Sequence, residues 1–278
     1  MEYEKVIQSG TTYVSNRISS ERIIHNNSLL PIISYTYDLN GNVTNISNNY
    51  FGNHQYTYNN LGYLMCDNNI NFDYDTNGNI IENGQYIYEY DSSNPDRIIS
   101  CHGVPITYSQ DGLYIKDFGL THYNFEGKRL TNITIDDGDS IDFTYNDKGL
   151  RTSKTINGNF TTNYFYSGDR LVCEINPTYR NDFLYDENGN LFGFIHNRTE
   201  KYFYIRDILQ NILGIINSSG NIVVKYIYDA YGKLLSTTGT LASTIGIYNP
   251  FKYKGYYYDV ETQLFYCNSR YYSPELCI

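Results

Sequence analysis

The sequence predicts an all-β protein, built from repetitive antiparallel β-hairpins that form a curled sheet or partial β-shell. Three observations lead there. The 278 residues include 33 Tyr and 13 Phe but no Trp, and only 18% are charged. Aromatic and β-branched residues suit a pleated, half-buried surface. One short pattern also recurs along most of the chain, and nearly every copy ends in the chemistry of a tight turn.

The pattern is an aromatic residue, any residue, Tyr, Asp or Asn, two residues, Gly, then an apolar residue. Its strongest copies are "YTYDLNGNV" from Tyr35, "YTYNNLGYL" from Tyr56, "FDYDTNGNI" from Phe72, "FTYNDKGLR" from Phe143, "FLYDENGNL" from Phe183 and "YIYDAYGKL" from Tyr226. Weaker copies begin at Tyr88, Ile106, Tyr123, Tyr164 and Tyr202. The second aromatics make a ladder: Tyr37, Tyr58, Tyr74, Tyr90, Tyr108, Phe125, Tyr145, Tyr166, Tyr185, Tyr204 and Tyr228. Two places before each rung stands another aromatic, with Ile106 the exception.

Each element of a copy has a physical reason. Residues i and i+2 of a strand share a face, so Tyr35 and Tyr37 stack on one side. Asp38 follows, and its carboxylate can accept from backbone N–H groups two residues on. Asn40-Gly41 then predicts the two positive-φ positions of a type I′ turn, and Val43 restarts the chain as a return strand. The same roles fall to Asp75 and Gly78, Asp186 and Gly189, Asp229 and Gly232, and to Gly62 and Gly149 where Asn replaces Asp. Units this short cannot bury their aromatic face alone and must stack on neighbours. Residues 1–34 are less regular, although Tyr13-Val14 and Ile23-Ile24 suggest further strands. No helix is expected; Ile205–Ile216 could make a helical turn but reads better as hairpins. Residues 1–234 are expected to form the array and 235–278 a distinct aromatic closing block.

Several function classes are disfavoured. The net charge of −10 argues against nucleic acid, which needs a basic partner surface, and against electrostatic anchoring on anionic lipid. No apolar run is long enough to span a bilayer as a helix. The N-terminal residues show neither the basic nor the apolar region of a signal peptide. The cysteines, odd in number and widely spaced (Cys66, Cys101, Cys173, Cys267, Cys277), read as free thiols or buried small apolar groups rather than a disulfide framework.

Candidate sites have plain alternatives. The Asp-x-Asn-Gly-Asn turns at Asp38, Asp75 and Asp186 resemble part of a calcium loop but lack its later Gly and bidentate Glu. "IDDGDS" (Ile135–Ser140) reads as a hairpin turn. His25, His54, His102, His122 and His196 show no metal-ligand spacing, and no nucleotide or hydrolase motif occurs. Neither catalysis, a metal nor a cofactor is expected.

The repeat "YxYDxxGxL" resembles the signature of the RHS/YD-repeat family. "YDAYGKLL" (Tyr228–Leu235) followed by "NPFKYKGYYYDVETQLFYCNSRYYSPEL" (Asn249–Leu276) is similar to the RHS repeat-associated core that ends the array in bacterial polymorphic toxins. The positions carrying that second match are Asn249, Pro250, Phe251, Gly255, Tyr258, Asp259, Arg270, Tyr271, Tyr272 and Pro274. The resemblance implies a hollow β-shell around a C-terminal toxin, with the core block sealing one end and paired Asp-Pro motifs beyond it releasing the cargo. Gln263 and Cys277 stand where the family usually has Gly, and no Asp-Pro dipeptide is present. The chain is therefore expected to be the C-terminal slice of a shell, truncated before the protease motif and the toxin.

Three functions follow as expectations. The first is a non-enzymatic shell module whose partners are the remaining repeats or a toxin domain. It would be secreted or at the cell surface as part of a larger exported protein. The second is a carbohydrate- or cell-wall-binding repeat array, which the lack of Trp disfavours. The third is a degenerate orphan fragment, prone to aggregate through open strand edges.

Overall fold

A computed structural model describes residues 2–8, 11–25, 28–84 and 86–278. Strand follows strand from Glu2–Gln8 to Leu234–Thr238. The strands pair antiparallel with their sequence neighbours, as in Ser28–Tyr37 with Val43–Ser47 and Ser140–Tyr145 with Arg151–Ile156. Tyr13-Val14 and Ile23-Ile24 both fall within one long strand, Thr11–His25. The all-β array of antiparallel hairpins is what the sequence requires.

The turn chemistry holds, but the turn type differs from expectation. In the first copy the Gly41 N–H donates to the Asp38 carbonyl (3.1 Å), and the Asp38 N–H donates to the Asn42 carbonyl (3.0 Å). Gly41 takes φ +93°, whereas Asn40 does not enter the left-handed region. This is a type I turn closed by a left-handed glycine, which inserts a bulge, rather than the type I′ turn expected from Asn-Gly. Asp38 explains the choice. Its Oδ1 accepts the Asn42 N–H at 2.8 Å and its Oδ2 accepts the Asn42 side-chain amide at 2.9 Å. That five-residue clasp fits the longer turn. It recurs at Asp75, Asp186 and Asp207.

The bulge changes which residues face inward. Tyr145 pairs with Arg151 and Thr144 with Ser153, so Thr152 is the extra residue. Strict alternation would put residues 151 and 154 on opposite faces. The bulge instead brings both to the buried side, and strand Arg151–Ile156 buries Arg151 and Lys154 while the residues between them stay partly exposed. Register shifts at the same place occur in the hairpins of Tyr37, Tyr58, Tyr185 and Tyr228.

The second aromatics do more than stack. The hydroxyl of Tyr37 donates to the Ile18 carbonyl at 2.6 Å, Tyr58 to Val43 at 2.8 Å and Tyr90 to Ile80 at 2.9 Å. Tyr108 donates to Ile98 at 2.8 Å, Tyr145 to Leu130 at 2.7 Å, Tyr185 to Leu171 at 2.8 Å and Tyr228 to Ile212 at 2.9 Å. Every acceptor lies in or beside an earlier strand. Four acceptors follow an arginine, and that arginine covers the tyrosine ring: Arg17 over Tyr37, Arg97 over Tyr108, Arg129 over Tyr145 and Arg170 over Tyr185, at 5.0–5.9 Å. The "RI" and "RL" dipeptides that carry this device are a second repeat signal, overlooked beside the aromatic one. Removing one hydroxyl tests the rung. Tyr228→Phe keeps the ring and is expected to cost about 1 kcal/mol in urea unfolding; an unchanged midpoint would show that the bond contributes nothing.

The chain divides into two compact units: Met1–Phe72 with Tyr202–Tyr256, and Asp73–Lys201 with Tyr257–Ile278. In the first, Ile33, Tyr35 and Ile46 form one buried cluster, and Phe51, Ile205 and Ile216 another. In the second, Leu130, Ile133, Ile141 and Phe143 pack with Leu264. Ile205–Ile216 contributes to two strands, Glu200–Arg206 and Ile212–Asn217. Short helical turns do occur, at Ile245–Tyr248 and Tyr253–Gly255. Neither was expected, because "IGIYNPFKYKG" has neither helical length nor a capping signal.

Candidate functional site

The conspicuous cluster of buried charge lies in the second unit, where the closing segment meets the repeat strands. Three short strands, Tyr257–Asp259, Leu264–Tyr266 and Tyr271–Tyr272, form a small antiparallel sheet. Asp259 ends the first of them and is fully buried. Its Oδ2 accepts from Arg151 Nη1 at 2.5 Å and its Oδ1 from Lys154 Nζ at 3.0 Å. Lys154 also donates to Glu261 Oε2 at 2.6 Å. Burial pushes the Asp259 carboxyl up, but the two cations outweigh it and hold it below the usual carboxylate range.

Arg151 is enclosed by rings. Its guanidinium carbon lies 4.5 Å from the Tyr266 ring centroid, 4.7 Å from Tyr164, 4.8 Å from Tyr257 and 5.3 Å from Phe143. Among the described residues, Nε and Nη2 have no hydrogen-bond partner. The flat, weakly hydrated guanidinium tolerates that position because π faces attract it. The Arg151 N–H also donates to the Tyr266 hydroxyl at 3.0 Å. Tyr271 completes the enclosure, its hydroxyl 3.0 Å from that of Tyr145.

Glu174 stands on the other side of Tyr257. Its Oε2 accepts from the Tyr257 hydroxyl at 2.7 Å and its Oε1 from the Asn181 amide at 2.8 Å. Burial dominates these bonds and pushes the carboxyl up to about 7. The folded state therefore binds this proton more tightly than the unfolded chain, whose carboxyl titrates near 4.5. The stability from Glu174 is full below about 4.5 and is lost as pH rises through about 7. Glu174→Gln is expected to flatten stability between pH 5 and 8 relative to wild type, as read from urea midpoints. Parallel profiles would show that Glu174 is not the titrating group.

The first unit holds a second anchoring point. The Asn249 amide donates to the Phe251 carbonyl at 2.7 Å, and its oxygen accepts from Tyr204 at 2.7 Å. Lys252 is buried, donates to the carbonyls of Gly246 and Asn249, and lies 4.2 Å from the Tyr226 ring centroid. Pro250 and Phe251 are buried beside it.

The structure distributes the other sequence-selected residues as follows. Gly41, Gly62, Gly78, Gly149, Gly189 and Gly232 all take positive φ at hairpin turns, and so does Gly255 in the closing segment. Asp229 accepts backbone N–H groups from Tyr231 and Lys233. Tyr74 ends the strand Ile70–Tyr74 and is half-buried. The Tyr258 and Tyr272 rings flank Phe265. Pro274 is buried and Arg270 is exposed. The calcium-like turns commit both oxygens of Asp38, Asp75 and Asp186 to N–H donors, and this lowers the Asp38 and Asp75 carboxyls. The structure brings Asp259 and Tyr271 together with residues that sequence reading did not select, Arg151 and Lys154, and Tyr257 links Arg151 to Glu174; Tyr258 packs instead on Phe265. The cluster's ionised groups are buried and mutually paired, which suits holding a segment in place rather than handling a substrate.

Comparison with known proteins places this geometry. A tRNA3(Ser)-specific nuclease WapA of Bacillus spizizenii is 34% identical over 254 residues, covering 87% of this chain and 9% of that protein. A tRNA nuclease WapA of Bacillus subtilis matches with the same identity and coverage. The chain thus spans about 9% of the length of these curated relatives. Among solved structures, the TcdB2–TccC3–Cdc42 complex aligns with a TM-score of 0.71 at 15% identity, over 99% of this chain and 17% of that one. The Photorhabdus luminescens Tc holotoxin pore aligns at 0.68 and 15%, over 94% of this chain and 16% of that one. At such identity the likeness is one of fold. The family model described as Teneurin YD-shell matches residues 15–277, so the chain belongs to that YD-shell family of RHS/YD-repeat proteins.

Proposed function

We propose that the chain is a non-enzymatic structural module, a piece of an RHS-type shell that encloses or delivers a toxin polypeptide. Residues 235–278 serve as the block that ends the array. The observation that carries this reading is the Asp259 cluster: the closing strands are held by buried charge to repeat residues 105 and 108 positions earlier. Such a contact fixes a segment rigidly and leaves its carboxylates no substrate to work on. The relatives support the context, since WapA proteins are named as nucleases and the Tc chain belongs to a holotoxin pore. The repeat aromatics are turned to packing: Tyr35, Tyr88, Tyr164 and Tyr226 are all buried, which favours a wall over a sugar-binding face. A shell of this kind works as part of a larger exported protein, secreted or at the cell surface.

Two measurements test the proposal. The purified chain is expected to leave tRNA intact; fragments that scale with protein concentration and survive repurification would overturn the non-enzymatic role. In the native gene product, polypeptide enclosed by the shell is expected to resist trypsin until mild denaturant opens the wall. Equal cleavage of every segment without denaturant would defeat the enclosing role.

A further inference from the structure

A second feature of the Asp73–Lys201 and Tyr257–Ile278 unit goes beyond the shell reading. A cavity of about 530 Å³ opens between the repeat hairpins and the closing segment. Its volume is that of a small-molecule site, where cavities of about 300–1,000 Å³ are usual. The walls are aromatic. Tyr114 and Phe125 stack with centroids 4.5 Å apart and planes 19° apart, and Tyr145 and Tyr271 face the same space. Leu130 and Leu276 are part of the aliphatic lining.

The charged side chains of the lining are of one sign. Lys128 and Arg129 come from one turn, Lys148 from the next hairpin and Arg270 from the closing segment, and no Asp or Glu lines the cavity. All four are exposed, and none forms an ion pair among the described residues. In a chain of net charge −10, four unpaired cations converging on one aromatic cavity form a local field opposite to that of the molecule. Such a field attracts and retains an anion, while the rings take an apolar body. Glu275 acts on the Tyr123 hydroxyl from nearby and opposes the field.

We propose that this cavity binds a small amphipathic organic anion, an aromatic or alkyl body carrying a carboxylate, sulfonate or phosphate. The ring floor receives the body and the cation rim the charge. The lining residues all lie in this chain, so the test is separate from that of the shell.

The probe is 8-anilinonaphthalene-1-sulfonate, titrated into the folded chain by calorimetry and fluorescence. One site per chain is expected, with affinity falling at least tenfold between 20 and 300 mM salt, because the rim cations are exposed to screening. The neutral analogue N-phenyl-1-naphthylamine is expected to bind at least tenfold more weakly. The Lys128→Glu/Lys148→Glu variant, altered only at exposed positions, is expected to lose at least tenfold in sulfonate affinity with its near-UV circular dichroism unchanged. Glu275→Gln is expected to strengthen binding. Equal binding of the neutral analogue, several equivalent sites, or indifference to salt would each overturn the proposal. The analogue and salt comparisons use the wild-type chain, so they decide the matter even if the double variant does not fold.

Discussion

Replacing Asp259 with Ala is expected to destabilise the Asp73–Lys201 and Tyr257–Ile278 unit by about 3–5 kcal/mol. The reason is what stays behind. Arg151 is almost wholly inaccessible, at 1% exposure, and Lys154 nearly so, at 7%. With Asp259 gone, Arg151 keeps its rings and one long bond to the neutral Tyr271 hydroxyl (3.3 Å), and Lys154 keeps Glu261. An uncompensated buried cation costs far more than the ion pair contributes. Urea unfolding gives the magnitude, and limited proteolysis supplies a second readout: residues 257–278 should be cut first in the variant. A loss below about 1 kcal/mol, the range of exposed ion pairs, would show that water reaches the site. A compensating pair sharpens the test. Arg151→Met with Asp259→Leu removes both charges and is expected to recover much of the loss, because apolar replacement of a buried pair is often close to neutral.

Tyr226→Ala should produce a comparable loss in the other unit, about 3–5 kcal/mol. Tyr226 is fully buried, its hydroxyl donates to the Gly246 carbonyl at 2.9 Å, and its ring covers the Lys252 ammonium. Truncation leaves a cavity and strips a buried cation of its aromatic cover. Tyr226→Phe keeps the ring and removes only the hydroxyl, so about 1 kcal/mol is expected there. If both variants lost the same amount, the hydroxyl rather than the ring would be holding the helical turn Ile245–Tyr248 against strand Ile222–Tyr228.

The repeat was legible because its determinants are local. An aromatic pair, an acid and a glycine within seven residues define strand, clasp and turn, and the structure uses Tyr35, Tyr37, Asp38 and Gly41 in those places. The turn type was misread because Asn-Gly points to a two-residue loop, whereas the Asp38 clasp on Asn42 enforces a longer one with a bulge. That local error hid a non-local fact. With a bulge, residues 151 and 154 share a face; without one, "RTSK" reads as an exposed, alternating strand. The partner of both cations lies more than a hundred residues away, and no spacing rule links them. Glu174 was hidden in the same way, since a lone Glu in "RLVCEI" looks like a solvent-facing strand residue until Tyr257 arrives beside it.

The tyrosine rungs also have a direction. In seven rungs, from Tyr37 on Ile18 to Tyr228 on Ile212, the hydroxyl reaches toward the N-terminus and finds a carbonyl already passed, whereas Tyr204 reaches forward to Asn249. A ribosome delivers the chain in that order, and N-terminal segments fold first during synthesis. Each new hairpin can therefore dock on a completed predecessor without waiting for a successor. Along those seven rungs assembly becomes vectorial, and the loss or gain of a whole repeat leaves each such tyrosine with an acceptor behind it. A wall built this way can change length in evolution one hairpin at a time.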